Sequence, residues 1–143
     1  MVVRKASAVW EGTFKDGKGT MSFGSGAYKG AYTAASRFES GTGTNPEELI
    51  GAAYAGCFSQ ALSLDLTKAG YPPDRISTEA DVKLEPVDEG FAITEITIRT
   101  KGVVPGIDAD TFQEYAEAAK EGCPVSRALK GVKKSLEAEL GNA

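Results

Sequence analysis

The sequence predicts an α+β fold: mostly antiparallel sheets around one long, buried central helix. Three observations carry this. Several stretches alternate apolar and polar residues with the period of a strand. One segment rich in Ala, Leu and Phe and free of proline, from Leu49 to Leu66, has helix start and stop signals at its ends. Two further helical segments come before the last alternating stretch, so the order reads βββ-α-ββ-αα-β.

Residues 5–10 place Ala6, Ala8 and Trp10 on one face and Lys5, Ser7 and Val9 on the other, as a strand does. Asp16-Gly17 is a hairpin signal before a second short strand, Thr20–Phe23. Residues 24–45 are rich in turn formers. They read as a long excursion, carrying Tyr28 and Tyr32, with one more short strand near Arg37-Phe38-Glu39. Asn45 is a good N-cap, Pro46 suits the first helical position, and Glu48 completes a capping box. Gly70 and Pro72-Pro73 stop the helix. It is apolar around most of its circumference, which calls for an interior position.

Residues 77–85 turn Thr78, Ala80, Val82 and Leu84 to one face. A turn at residues 86–90 leads into a β-branched run, Phe91–Val104, so the two form an antiparallel hairpin. The inward phase of the second strand shifts around Thr94, as a bulge would make it. Asp108 caps a helix over Ala109–Glu121, with Phe112, Tyr115, Ala116 and Ala119 inward and Gly122 at its end. Cys123-Pro124 opens a third, short helix. Val132, Leu136, Ala138 and Leu140 then mark a final strand.

The chain has 143 residues, 16 basic and 20 acidic, for a net charge of −4. That length predicts a single domain over residues 1–143 with a core large enough to need no staples. The acidic balance argues against nucleic acid and anionic membranes as partners. With no histidine, Ser-His-Asp and Cys-His sites and the usual catalytic zinc sites are excluded. Two cysteines cannot alone build a four-cysteine zinc site or ligate an iron–sulfur cluster, so no metal and no cofactor is expected. The start, MVVRKASAVW, lacks the apolar run of a signal peptide, and no stretch could span a bilayer. The expected location is the cytoplasm. There, the widely spaced Cys57 and Cys123 are read as thiols and not as a CxxC motif.

Two readings stand for each candidate residue. Cys57, flanked by Ala53, Gly56, Phe58 and Ala61, is either a small core hydrophobe or a reactive thiol. The second needs a cation beside it. Cys123, at an apparent helix start, is on local physics the better nucleophile; otherwise it substitutes for an N-cap. Arg37 follows Ala34-Ala35-Ser36 and is either a surface strand residue or a site cation. Glu47 either complements the helix dipole or is a free carboxylate, since Glu48 has the capping task. Glu47 and Cys57 lie ten residues apart on one helix, about 15 Å along its axis. If both serve one site, Glu47 reaches it from a partner subunit.

At this point the residues resemble a known family. The run Gly43-Thr44-Asn45-Pro46-Glu47-Glu48-Leu49-Ile50-Gly51-Ala52-Ala53-Tyr54-Ala55-Gly56-Cys57-Phe58-Ser59, then Ala61-Leu62-Ser63, is similar to the signature of the OsmC/Ohr family. So are Trp10-Glu11-Gly12 with Gly17-Lys18-Gly19-Thr20, Val104-Pro105-Gly106-Ile107-Asp108, Gly122-Cys123-Pro124-Val125-Ser126, and Arg37-Phe38-Glu39. The likeness covers nearly the whole chain and is closer to the OsmC branch. It implies an intertwined homodimer and a thiol-dependent peroxidase acting on organic hydroperoxides, less well on hydrogen peroxide. It implies that Cys57 attacks the peroxide and Cys123 resolves through a disulfide. Arg37 activates the thiolate, Glu47 orients Arg37, and a dithiol, lipoyl-type for preference, supplies the electrons. This reverses the local preference for Cys123. The rival readings are a redox-inert dimeric module binding a small ligand, and a general thiol–disulfide oxidoreductase, which the missing CxxC disfavours.

Overall fold

A computed structural model describes residues 1–142. The architecture is α+β, with two three-stranded sheets and four helices. The chain divides into two compact units, residues 1–49 and 50–143.

The first unit is an antiparallel meander of β1 (Ala6–Glu11), β2 (Lys18–Phe23) and β3 (Lys29–Tyr32), followed by α1 (Ala34–Phe38). Trp10, Gly19 and Tyr32 are directly opposite one another across the three strands. The Trp10 and Tyr32 rings meet with centroids 5.3 Å apart. They close over Gly19, where a Cβ would lie 2.5 Å from Tyr32 and 2.7 Å from Trp10. Gly17 is not the left-handed turn residue that Asp16-Gly17 suggested; Gly12 takes that conformation, with φ 96°. Gly17 is required by proximity instead, because its Cβ would stand 2.4 Å from the Thr13 carbonyl oxygen.

The expected strand around Arg37 is a helix. Thr33 caps it: its side chain accepts from the Ser36 N–H at 3.1 Å, and Ser36 Oγ accepts from the Thr33 N–H at 2.8 Å. Such reciprocal capping overrides the weak strand signal of three residues. The third strand lies earlier, at Lys29–Tyr32, where Gly30 hid the alternation. Ser36 Oγ also donates to the Thr44 carbonyl at 2.7 Å, and Asn45 Nδ2 donates to the Ser36 carbonyl at 3.1 Å. These bonds fix the chain as it enters α2 (Pro46–Lys68). Asn45 does cap α2, accepting from the Glu48 N–H at 2.7 Å. The Glu48 side chain, however, accepts from Thr44 Oγ1 at 2.8 Å, which is not the capping-box bond expected.

In the second unit, α2 buries Tyr54, Phe58, Leu62 and Leu66, spaced four apart on one face. They meet Ile96 and Ile98 of β5 (Gly90–Val103) and Phe112, Ala116 and Ala119 of α3 (Ala109–Gly122) in one apolar cluster. Burial of each large side chain contributes about 1.5–3 kcal/mol, against roughly 1 kcal/mol for a cap. Packing therefore holds this helix, and capping sets where it starts. Its end is a Schellman motif, in which Tyr71 N–H donates to the Leu66 carbonyl at 2.8 Å and Gly70 has φ 91°. The opposite face, with Ala52, Ala53, Gly56 and a 54% exposed Leu64, is uncovered in the single chain. The helix is thus buried along one face, not around its whole circumference.

β4 (Arg75–Val87) pairs antiparallel with β5, and the register shifts so that Thr94 is the extra residue. β6 (Lys133–Leu140) pairs with β5 in parallel, reached through α3 and α4 (Pro124–Ala128). Three of the four strand pairs are antiparallel, as expected, and this one is parallel. A two-helix crossover returns the chain in the direction it left.

Gly19→Ala should cost roughly 1–3 kcal/mol by overpacking the Trp10–Tyr32 contact. Denaturant unfolding followed by the fluorescence of the single tryptophan measures it. An unchanged midpoint and emission would contradict the assigned role.

Candidate active site

Cys57 lies at the start of the fourth turn of α2, immediately before the buried Phe58, and is partly exposed while packing against the core. Cys123 is 1% exposed. It ends α3 and caps α4 at once, with extended backbone (φ −65°, ψ 144°), because the residue before a proline is pushed out of helical geometry. Its Sγ accepts from the Ser126 N–H at 3.4 Å. Both cysteines are free thiols.

The fold brings these two thiols, distant in sequence, near enough for Cys57 to act on the titration of Cys123. Burial pushes the Cys123 thiol above its ordinary pKa, and the hydrogen bond and charge of Cys57 push it further up. The backbone N–H groups of Ser126 and Val125 oppose this only in part. At Cys123 desolvation is thus larger than the helix-start effect. A cap on a five-residue helix does not outweigh desolvation.

Arg37 occupies the last turn of α1, and Glu47 is buried in the first turn of α2. They form an ion pair within one chain. Arg37 Nε donates to Oε1 and Oε2 of Glu47 at 3.0 and 3.2 Å, and Nη2 donates to Oε1 at 2.8 Å. A side-on guanidinium held this way is far more rigid than a lysine would be. Glu47 thus does not need a second chain to hold Arg37. The Arg37 guanidinium also stands 5.2 Å over the Phe38 ring. Beside it opens a cleft of about 470 Å³ lined by Trp10, Phe14, Tyr32 and Arg37. The two thiols belong to the second unit and the ion pair to the first.

Two polar residues near the thiols escaped the reading of the sequence. Tyr54 is fully buried, and its hydroxyl donates to the Lys120 carbonyl at 3.0 Å and to Ser126 Oγ at 3.4 Å. Ser126 is 1% exposed. The available signal was Pro124, which leaves the Lys120 carbonyl without its helical donor. Among the described residues no group of three His, Cys, Asp or Glu is placed to hold a metal ion, and no helix is long and apolar enough to cross a membrane.

A family model described as OsmC-like protein matches residues 39–137. The chain is similar to peroxiredoxin OsmC of Escherichia coli (strain K12), with 56% identity over 128 residues, covering 89% of this chain and 90% of that one. It is 36% identical over 95 residues to organic hydroperoxide resistance protein OhrB of Bacillus subtilis (strain 168), covering 65% and 67% of the two chains. The crystal structure of the Bacillus subtilis OhrB protein has a similar fold, with TM-score 0.70 and 29% identity, covering 96% of this chain and 98% of that one. On a family match across most of its length and a relative alike at more than half of the aligned positions, the chain belongs to the OsmC family.

Proposed function

We propose that the protein is a thiol-dependent peroxidase that reduces organic hydroperoxides, and hydrogen peroxide less well, to alcohols or water. The observation that carries this reading is an unbonded pair of thiols of unequal exposure: a reachable Cys57 beside a buried Cys123. The relatives' names, a peroxiredoxin and an organic hydroperoxide resistance protein, support the same chemistry.

In this mechanism the Cys57 thiolate attacks the terminal oxygen of the hydroperoxide. The O–O bond breaks, the alkoxide takes up a proton and leaves as alcohol, and Cys57 becomes a sulfenic acid. The Cys123 sulfur then attacks the Cys57 sulfur. The S–S bond forms, and the sulfenic hydroxyl leaves with the Cys123 proton as water. An external dithiol, of lipoyl type for preference, reduces the disulfide by two exchanges and is itself oxidised. No metal or cofactor takes part.

Arg37 is assigned to stabilising the Cys57 thiolate, and Glu47 to orienting Arg37. Ten residues along α2 separate Glu47 from Cys57, about 15 Å. We therefore assign the Arg37–Glu47 pair of one chain to the Cys57 of a second, in an intertwined homodimer. The uncovered apolar face of α2 supports such an assembly. The aromatic cleft beside Arg37 suits the alkyl part of a hydroperoxide. Residues 1–143 act as one domain, in the cytoplasm. The same cleft also favours a second reading, a redox-inert module that binds a small ligand.

Cys57→Ser should abolish peroxide consumption supported by a dithiol. Under the ligand-binding reading it would change stability slightly and nothing else. Arg37→Lys, which loses the bidentate hold on Glu47, should cut the rate of peroxide consumption at neutral pH about tenfold. An unchanged rate would contradict the role. Because burial raises the Cys123 pKa, wild-type protein near pH 8.5, the ordinary thiol value, should label at Cys57 well before Cys123. A monomeric variant with full peroxidase activity would contradict the shared site.

A further inference from the structure

In a continuous helix the Lys120 carbonyl would accept from the N–H of residue 124. Proline has no such N–H. The Tyr54 hydroxyl donates to that carbonyl instead, at 3.0 Å. The same hydroxyl reaches Ser126 Oγ at 3.4 Å, and the Ser126 N–H reaches Cys123 Sγ at 3.4 Å. One side chain of α2 thus touches both sides of the α3–α4 elbow in which Cys123 stands. Tyr54 comes three residues before Cys57 on α2, so the two are neighbours along that helix.

We propose that Tyr54 is a positioning residue for disulfide formation: its hydroxyl substitutes for the missing amide of Pro124 and holds the Cys123 elbow against the helix that carries Cys57. This rests on the peroxidase reading, in which Cys123 must condense with a Cys57 sulfenic acid. That step joins the two sulfurs, breaks the S–O bond of the sulfenic acid, and releases water with the Cys123 proton. A disulfide tolerates only a narrow range of geometry, with sulfurs about 2.05 Å apart and a dihedral near 90°. An elbow free to move would spend little time within that range. Burial raises the Tyr54 pKa, so the hydroxyl keeps its proton and remains a donor at working pH. Ring packing alone would be served by phenylalanine, whereas the two polar contacts require the hydroxyl.

The test is a rapid-quench single turnover of full-length Tyr54→Phe with one equivalent of tert-butyl hydroperoxide. Sulfenic acid is trapped with dimedone, and the disulfide is read by intact mass. Condensation should slow about tenfold relative to sulfenic acid formation, the effect of losing one hydrogen bond of ordinary strength. Excess peroxide should then carry more Cys57 on to sulfinic acid. Ser126→Ala keeps the tyrosine ring and the N–H to Cys123, removes one of the two acceptors, and should give a smaller slowing. The double variant should be no slower than Tyr54→Phe alone, because both changes break the same contact. Disulfide formation at the wild-type rate in Tyr54→Phe, whatever its melting temperature, would overturn the positioning role and leave the peroxidase reading standing. Wild-type protein that forms no sulfenic acid with the hydroperoxide would overturn both.

Discussion

Proline at position 124 breaks the backbone ladder of α3, and much of the candidate site follows from that break. Cys123 is forced into extended geometry, so it closes one helix and opens the next. Its sulfur turns inward, accepts from the Ser126 N–H, and is sealed from water. Desolvation then raises the pKa of the thiol. Cys57 occupies a partly exposed position on α2 and acts on the titration of that thiol. Two thiols of one chemical type are thus placed in different surroundings by burial.

The long helix α2 imposes the second constraint. Its sequence is apolar on nearly every side, yet the chain covers only the face of Tyr54, Phe58, Leu62 and Leu66. Those four contacts outweigh any capping contribution and fix the rotation of the helix. Rotation in turn fixes where Cys57 points, since residues three and four apart share a face. The small residues Ala52, Ala53 and Gly56 on the uncovered side allow close approach of another surface. In the first unit the same economy appears on a smaller scale: Gly19 lets two aromatic rings meet, and Ser36 ties α1 to the chain entering α2.

Strong local signals were legible in the sequence. Asn45-Pro46 marked the start of α2, Asp108 capped α3, the shift at Thr94 marked the bulge, and the alternation over residues 77–85 set the inward face of β4. Weak local signals misled where a non-local or reciprocal bond decided the outcome. Thr33 and Ser36 made a helix of the segment around Arg37. The desolvation of Cys123 was not legible locally, because it is a property of the folded core and not of the residues adjacent in sequence. The Arg37–Glu47 pair was expected as a pair, but its closure within one chain required the fold.

The most direct test of the central claim is a free-thiol count with intact mass, before and after one equivalent of an alkyl hydroperoxide per chain. The account predicts that both thiols disappear together and that the mass falls by two hydrogens, as a Cys57–Cys123 disulfide requires. Survival of both thiols would contradict it, and would make the cysteines packing residues in a protein whose task is to bind a ligand.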